Sequence, residues 1–291
     1  MSADRPTQPY GEVYDLGYRH YEGERQGRAH AVRALIIYSM KRGLGIRKRW
    51  TSKIIPALLY VAAYAPALIV AGILAFLPDQ VDFGYGDLAG FISTALLIFA
   101  AGLAPEMLSD DRRENVLALY FSRAITRADY LLAKVAAMGI LMATIAFGPM
   151  LLLFIARVLL ADSPISYFGD HVGDLGRIAA WGAIVCVYYT AIGLAIAALV
   201  DRKGIASAVF IGGIFLVAAV ANALFQATSG TLRDYLVLIS PLDLIDAITE
   251  WILGGAAGDM ANLKGPVYLV GVAAVIVVAA LIMYRRYLAE E

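Results

Sequence analysis

The chain has 291 residues, of which 60% are hydrophobic and 16% charged, with a mean hydropathy of +0.71; this excludes an ordinary soluble domain and marks an integral membrane protein. Its 24 Lys and Arg balance 24 Asp and Glu, so net charge points to neither nucleic acid nor an acidic substrate. The single cysteine, Cys186, lies inside an apolar block, which leaves no disulfide framework and no cysteine-based metal site.

The N-terminal ~50 residues contain no apolar run ahead of a small-residue cleavage site, so no cleaved signal peptide is expected. Residues 1–24 read as a cytoplasmic leader. Within 25–50, Val32, Leu35, Ile36, Met40 and Leu44 share one helical face, with Arg28, Arg33, Lys41 and Arg42 elsewhere. That pattern fits a helix in the membrane interface, apolar face in lipid and cations toward anionic headgroups, or else a solvated basic leader. Arg33 and the cluster Arg47-Lys48-Arg49-Trp50 are the candidate interface anchors.

Residues 51–291 read as one membrane domain. A span needs about 20 mostly apolar residues, and six segments qualify: 54–77, 88–108, 130–160, 175–200, 205–225 and 267–284. No repeat between the two halves is evident. The basic residues set the orientation. Eleven Lys or Arg precede the first span, five fall in 109–134, two in the turn 201–204 and two after the last span. The alternate loops keep only Arg157, Arg177, Arg233 and Lys264, against eleven acids. Both termini are therefore expected in the cytoplasm. Pro56 and Pro66 in the first span and Gly148-Pro149 in the third are expected to bend those helices.

The segment 106–134, between the second and third spans, is charged yet helix-patterned. Asp110, Asp111 and Glu114 precede Arg123, Arg127 and Lys134, the order a helix dipole favours. Val116, Leu117, Leu119, Tyr120 and Phe121 carry more apolar surface than a solvated loop needs, so something is expected to cover them. About 40 residues then separate the fifth and sixth spans on the external side. There Ser240 is a candidate N-cap, Pro241 a first helical residue, Asp243 an acid for the positive end, and Ile239 a staple for Leu244. Leu244, Ile245, Ile248, Trp251 and Ile252 make an apolar stripe ended by Gly254-Gly255. At about 14 residues this helix is too short to span, so it dips into the outer leaflet or lids the bundle.

Chemistry of its own is missing. There is no G-x-x-x-x-G-K-[ST], G-x-S-x-G or H-E-x-x-H, and His20, His30 and His171 do not make a metal set. Polar residues at membrane depth remain as candidates for lining a path or for bonding between helices: Tyr188, Tyr189, Thr190, Asn222 and Gln226. Asp162 is the expected partner for Arg157.

The order of residues in 106–134 resembles the loop between the second and third spans of type-2 ABC transporter permeases, the export-type membrane subunits. Glu106 stands for the Glu ending the second span, Glu114 for a second acid, and Leu117 and Leu119 for the Leu-rich stretch. Ser122-Arg123-Ala124-Ile125-Thr126-Arg127 stands for a Ser-Arg-Pro-Ile-Ser-Arg-like segment and Lys134 for the Lys opening the third span. Ala124 departs from the usual Pro. The leader Tyr14-Asp-Leu-Gly-Tyr-Arg-His-Tyr-Glu-Gly23 is also similar to the start of many bacterial permeases of this group.

The resemblance implies an all-α membrane protein with six spans, an N-terminal interfacial elbow helix, a cytoplasmic coupling helix and short external re-entrant helices between spans five and six. It implies an ATPase-coupling set: Glu106, Asp111, Arg112, Arg113, Glu114, Leu117, Tyr120, Arg123, Arg127 and Lys134. It further implies no cofactor on this chain, ATP and Mg in two copies of a partner ATPase, a second permease copy or paralogue, and a bacterial inner membrane. The competing readings are an ion-gradient-driven secondary transporter, which usually shows acids at midplane that these spans lack, and a membrane enzyme or scaffold without transport.

Overall fold

The computed structural model describes residues 27–46, 49–76, 83–113, 125–255, 260 and 262–288. Of these, 88% are helical and none lies in a strand. In chain order the helices are α1 (Arg28–Gly43), α2 (Thr51–Phe76), α3 (Tyr85–Arg113), α4 (Arg127–Leu160), α5 (Pro164–Leu199), α6 (Lys203–Ala227), the short α7 (Thr231–Tyr235) with a 3-10 turn at Leu236–Leu238, α8 (Pro241–Leu253) and α9 (Gly265–Tyr287). Six of them, α2 to α6 and α9, are long and apolar enough to cross a membrane, and they match the six expected segments, except that residue 77 lies outside the described residues and Val200 caps the end of α5.

Every span starts ahead of its expected segment, by two or three residues in five of them and by eleven in α5. α4 begins at Arg127, because Thr126 and Asp129 form a reciprocal capping box: the Thr126 side chain accepts from the Asp129 amide at 3.2 Å, and Asp129 accepts from the Thr126 amide at 3.0 Å. α5 begins at Pro164, with proline in the first turn, eleven residues ahead of the expected 175. This added stretch is largely exposed, and Asp170, His171 and Asp174 interrupt its apolar residues, so hydropathy alone passes over it. At ~1.5 Å per residue, α4 and α5 are each about 50 Å long and reach well past a ~30 Å hydrocarbon core.

The second and fourth spans are the enclosed ones, with 72% and 67% of their apolar windows buried, against 22% for the first and 28% for the fifth and sixth. α3, α4 and α5 pack mutually as the centre, and α2, α6 and α9 are arranged around them. The two ends of this bundle are here called the base, where α1 lies, and the crown, where α8 lies.

At the base, α1 packs along α4 and α3. Leu35 is buried, and Val32, Ile36, Met40 and Leu44 rest against the core. The apolar stripe expected to face lipid is thus turned onto the protein's own bundle. Gly43 permits this approach, since a Cβ there would overlap the Leu103 side chain.

At the crown, α8 packs on α5, α9, α3 and α6. Ser240 caps it, accepting from the Asp243 amide at 3.3 Å, and Pro241 opens it. Gly254 ends it at φ +77°, a conformation that favours glycine. Leu244, Ile245 and Ile248 are buried, whereas Ile239, the expected staple, is exposed. Arg157 does not pair with Asp162; it donates to the Phe83 carbonyl and lies 4.7 Å from the Tyr85 ring centre.

All three expected prolines sit inside continuous helices. Near Pro149, Tyr64 donates to the Thr144 carbonyl at 2.8 Å, and the Tyr60 and Thr144 hydroxyls are 2.6 Å apart.

Candidate functional site

The base of the bundle gathers the most unusual electrostatics among the described residues. Asp111, in the last turn of α3, is fully buried. Its Oδ1 accepts from Arg42 Nη1 of α1 at 2.6 Å. Its Oδ2 accepts from the Tyr130 hydroxyl at 2.9 Å and faces Lys134 Nζ at 2.7 Å, both on α4. Lys134 is fully buried too, 5.3 Å from the Tyr130 ring centre, and its contact with Asp111 is a charge contact, not an aligned hydrogen bond. A buried carboxylate is tolerable only when its lone pairs are answered, and here side chains of α1 and α4 answer them. Asp111 therefore fixes α1, α3 and α4 to one another at the described ends of 106–134.

Four further ties frame this node. Glu106 of α3 is ion-paired with Lys203 at the start of α6, and the Ser207 hydroxyl donates to the Ala101 carbonyl at 2.7 Å. The Ser109 hydroxyl donates to the Val200 carbonyl, closing the end of α5, at 3.1 Å. At the start of α1, Arg28 forms two hydrogen bonds with the Asp129 carboxylate, at 2.8 and 2.7 Å. That hydrogen bonding, ahead of the charge itself, raises the Arg28 pKa above its ordinary value. A cleft of about 400 Å³ separates the α1–α2 junction from α3 and α6, with Arg42, Glu106 and Lys203 on its walls.

Of the ten candidates in 106–134, the structure brings Asp111 and Lys134 together, and it places Glu106 on the same helix as Asp111 but paired with Lys203 of α6. Arg113 is exposed at the end of α3, and Arg127 is half-buried as the first residue of α4. Arg112 lies on the last turn of α3, with its side chain outside the description. Glu114, Leu117, Tyr120 and Arg123 lie outside the described residues, as does Ala124. Among the interface candidates, Arg33, Arg49 and Trp50 are exposed, Lys53 stands 5.9 Å from the Trp50 ring centre, and Arg47 and Lys48 are outside the described residues.

Sequence reasoning missed Tyr130, Arg42 and Lys203 as partners. Tyr130 precedes Lys134 by four residues, so both share a helical face; that spacing was a usable signal. Nothing in the sequence links Arg42 to Asp111 across 69 positions.

The polar candidates at membrane depth form a second group nearer the crown. Tyr188, Tyr189 and Thr190 are buried within α5, the two tyrosine rings packing edge to face 5.6 Å apart. The Tyr188 hydroxyl lies 3.4 Å from the Pro241 carbonyl, and Trp181 Nε1 donates to Thr249 Oγ1 at 2.8 Å. Asn222 donates to Asp243 at 3.2 Å, joining α6 to α8. Gln226 is exposed, and Trp251 is partly so. These contacts tie α8 onto the spans.

The family model described as ABC-2 family transporter protein matches residues 13–291. The chain belongs to the ABC-2 transporter family. It is a multi-pass membrane protein and a transport permease of that family. ABC-2 permeases generally work with an ATPase subunit. Comparison with curated proteins returns no match.

Proposed function

We propose that the chain is the membrane subunit of an ATP-driven exporter, pumping by coupling to a separate ATPase chain through 106–134. Two ATPase copies, holding ATP and Mg, act on a pair of permeases formed by this chain with a second copy or a paralogue. α1 serves as the elbow helix, part of 109–130 as the coupling helix, and α7 with α8 as the external re-entrant helices. The base faces the cytoplasm of a bacterial inner membrane, with both termini on that side.

The observation that carries this reading is the Arg42–Asp111–Lys134 node. A push on 106–134 has to reach the spans through α3 and α4, and a buried charged joint between those helices and α1 transmits displacement as a rigid body. The absent P-loop makes a separate motor necessary, and the excess of cations near the base supports the cytoplasmic orientation. Of the polar group Tyr188, Tyr189, Thr190, Asn222 and Gln226, interhelical bonding is assigned before path lining to Tyr188 and Asn222, which bond to Pro241 and Asp243. The test is co-purification: charge reversal of Arg123 and Arg127 weakens ATPase association while membrane insertion stays normal, and unchanged association would falsify the coupling role.

A further inference from the structure

A second cavity has no part in the proposed coupling. A groove of about 800 Å³ runs between α4, α5 and α9, walled almost entirely by carbon. Its floor is set by small residues, Gly139, Ala183, Ala191 and Ala280, and its walls run from Leu131 to Phe147 on α4 and from Ile276 to Leu288 on α9. At ~1.5 Å per residue those walls are about 24 and 18 Å long, near the depth of one leaflet with its headgroups and well short of a full bilayer of ~40–45 Å. A partner's spanning helix would cross both leaflets, whereas this groove stops near mid-membrane.

Its lower end lies at the base, where α4 begins and α9 ends. Arg285, exposed, follows Tyr284 of the α9 wall, and Arg127 stands one turn ahead of Leu131 on α4. Cations at the membrane surface beside an apolar slot attract an anionic headgroup. Thr190, Cys186 and Tyr284 are the polar side chains of an otherwise apolar lining. Thr190 is 3% exposed, its Oγ1 has no hydrogen-bond partner, and with Ala191 it forms the part of the α5 lining nearest the base. A buried hydroxyl left without a partner is costly, and an ester carbonyl at the top of an acyl chain would accept from it.

We propose that the groove between α4, α5 and α9 holds one anionic phospholipid from the leaflet at the base, its acyl chains along Gly139 and Ala280, its ester region at Thr190 and its headgroup beside Arg285. This resident lipid braces the lower halves of α4, α5 and α9, where few direct contacts join α4 to α9.

The experiment places the purified full-length chain in phosphatidylcholine bilayers doped with photoactivatable phosphatidylglycerol or, separately, photoactivatable phosphatidylcholine, and maps the labelled peptides. The expected result is phosphatidylglycerol labelling concentrated on 131–147 and 276–288. Arg285→Gln lowers the preference for phosphatidylglycerol about fivefold, the effect of one surface cation. Gly139→Trp removes the labelling, because position 139 opens onto empty space and the new side chain fills it. Should that variant misfold, Ala280→Leu narrows the same slot from an exposed position. Equal labelling by both lipids, labelling unchanged in the filled variants, or cross-links from a photoreactive residue at 139 to a second copy of the chain would each overturn the proposal.

Discussion

Replacing Asp111 by Asn keeps the shape of the side chain and removes one charge. In the wild type the two carboxylate oxygens meet Arg42 at 2.6 Å, Lys134 at 2.7 Å and Tyr130 at 2.9 Å, and Asp111 and Lys134 are fully buried. The amide turns an N–H toward one of these donors and leaves the Lys134 ammonium without its counter-charge. Breaking a buried pair from one side costs about 3–5 kcal/mol, a large part of a total stability of roughly 5–15 kcal/mol. Asp111→Asn is therefore expected to melt well below wild type. Asp111→Asn combined with Lys134→Met removes both charges of the pair, and is expected to recover about 1–3 kcal/mol relative to the sum of the single losses. Cys186, the chain's one cysteine, is buried and supplies the readout, since a thiol-reactive fluorogenic dye reports its exposure on heating. Asp111→Asn melting with the wild type, or a double variant as unstable as the two singles added, would refute the claim that this node holds the base together.

Gly148→Ala puts a methyl group against the Tyr64 hydroxyl, which already occupies that space. It is expected to destabilise by about 1–3 kcal/mol, and Tyr64→Phe, by removing the hydroxyl, should relieve part of that loss in the same melting assay. Trp181→Phe leaves the buried Thr249 hydroxyl without its indole donor. A loss of about 1–3 kcal/mol is expected, read by thermal melting, with Thr249→Val added to Trp181→Phe costing less than it does in the wild type.

The spans were legible because hydropathy and length need no tertiary information, and each of the six expected segments overlaps one observed helix almost throughout. Start signals were legible where a side chain bonds locally, as at Ser240. The Thr126–Asp129 box carries the same kind of signal but was overshadowed by the apolar run that starts at Tyr130. Pro164 was missed because Asp170, His171 and Asp174 interrupt the largely exposed first turns of α5. The candidate site was legible only in part. Asp111 and Lys134 stood out as charges in 106–134, but their burial depends on α1 folding back over the base, and the amphipathic face of α1 does not distinguish lipid from protein as its cover. The Glu106–Lys203 pair joins residues 97 positions apart, a separation no local pattern encodes.

The central claim, that a separate ATPase drives this permease through 106–134, is tested most directly by cross-linking in native membranes. A photoreactive amino acid at Tyr120, in full-length tagged protein, is predicted to capture a chain bearing a G-x-x-x-x-G-K-[ST] sequence, while the same residue at Trp251, at the crown, captures none. Capture of a P-loop chain from Trp251, or of no P-loop chain from Tyr120 when the permease is active, would contradict the account.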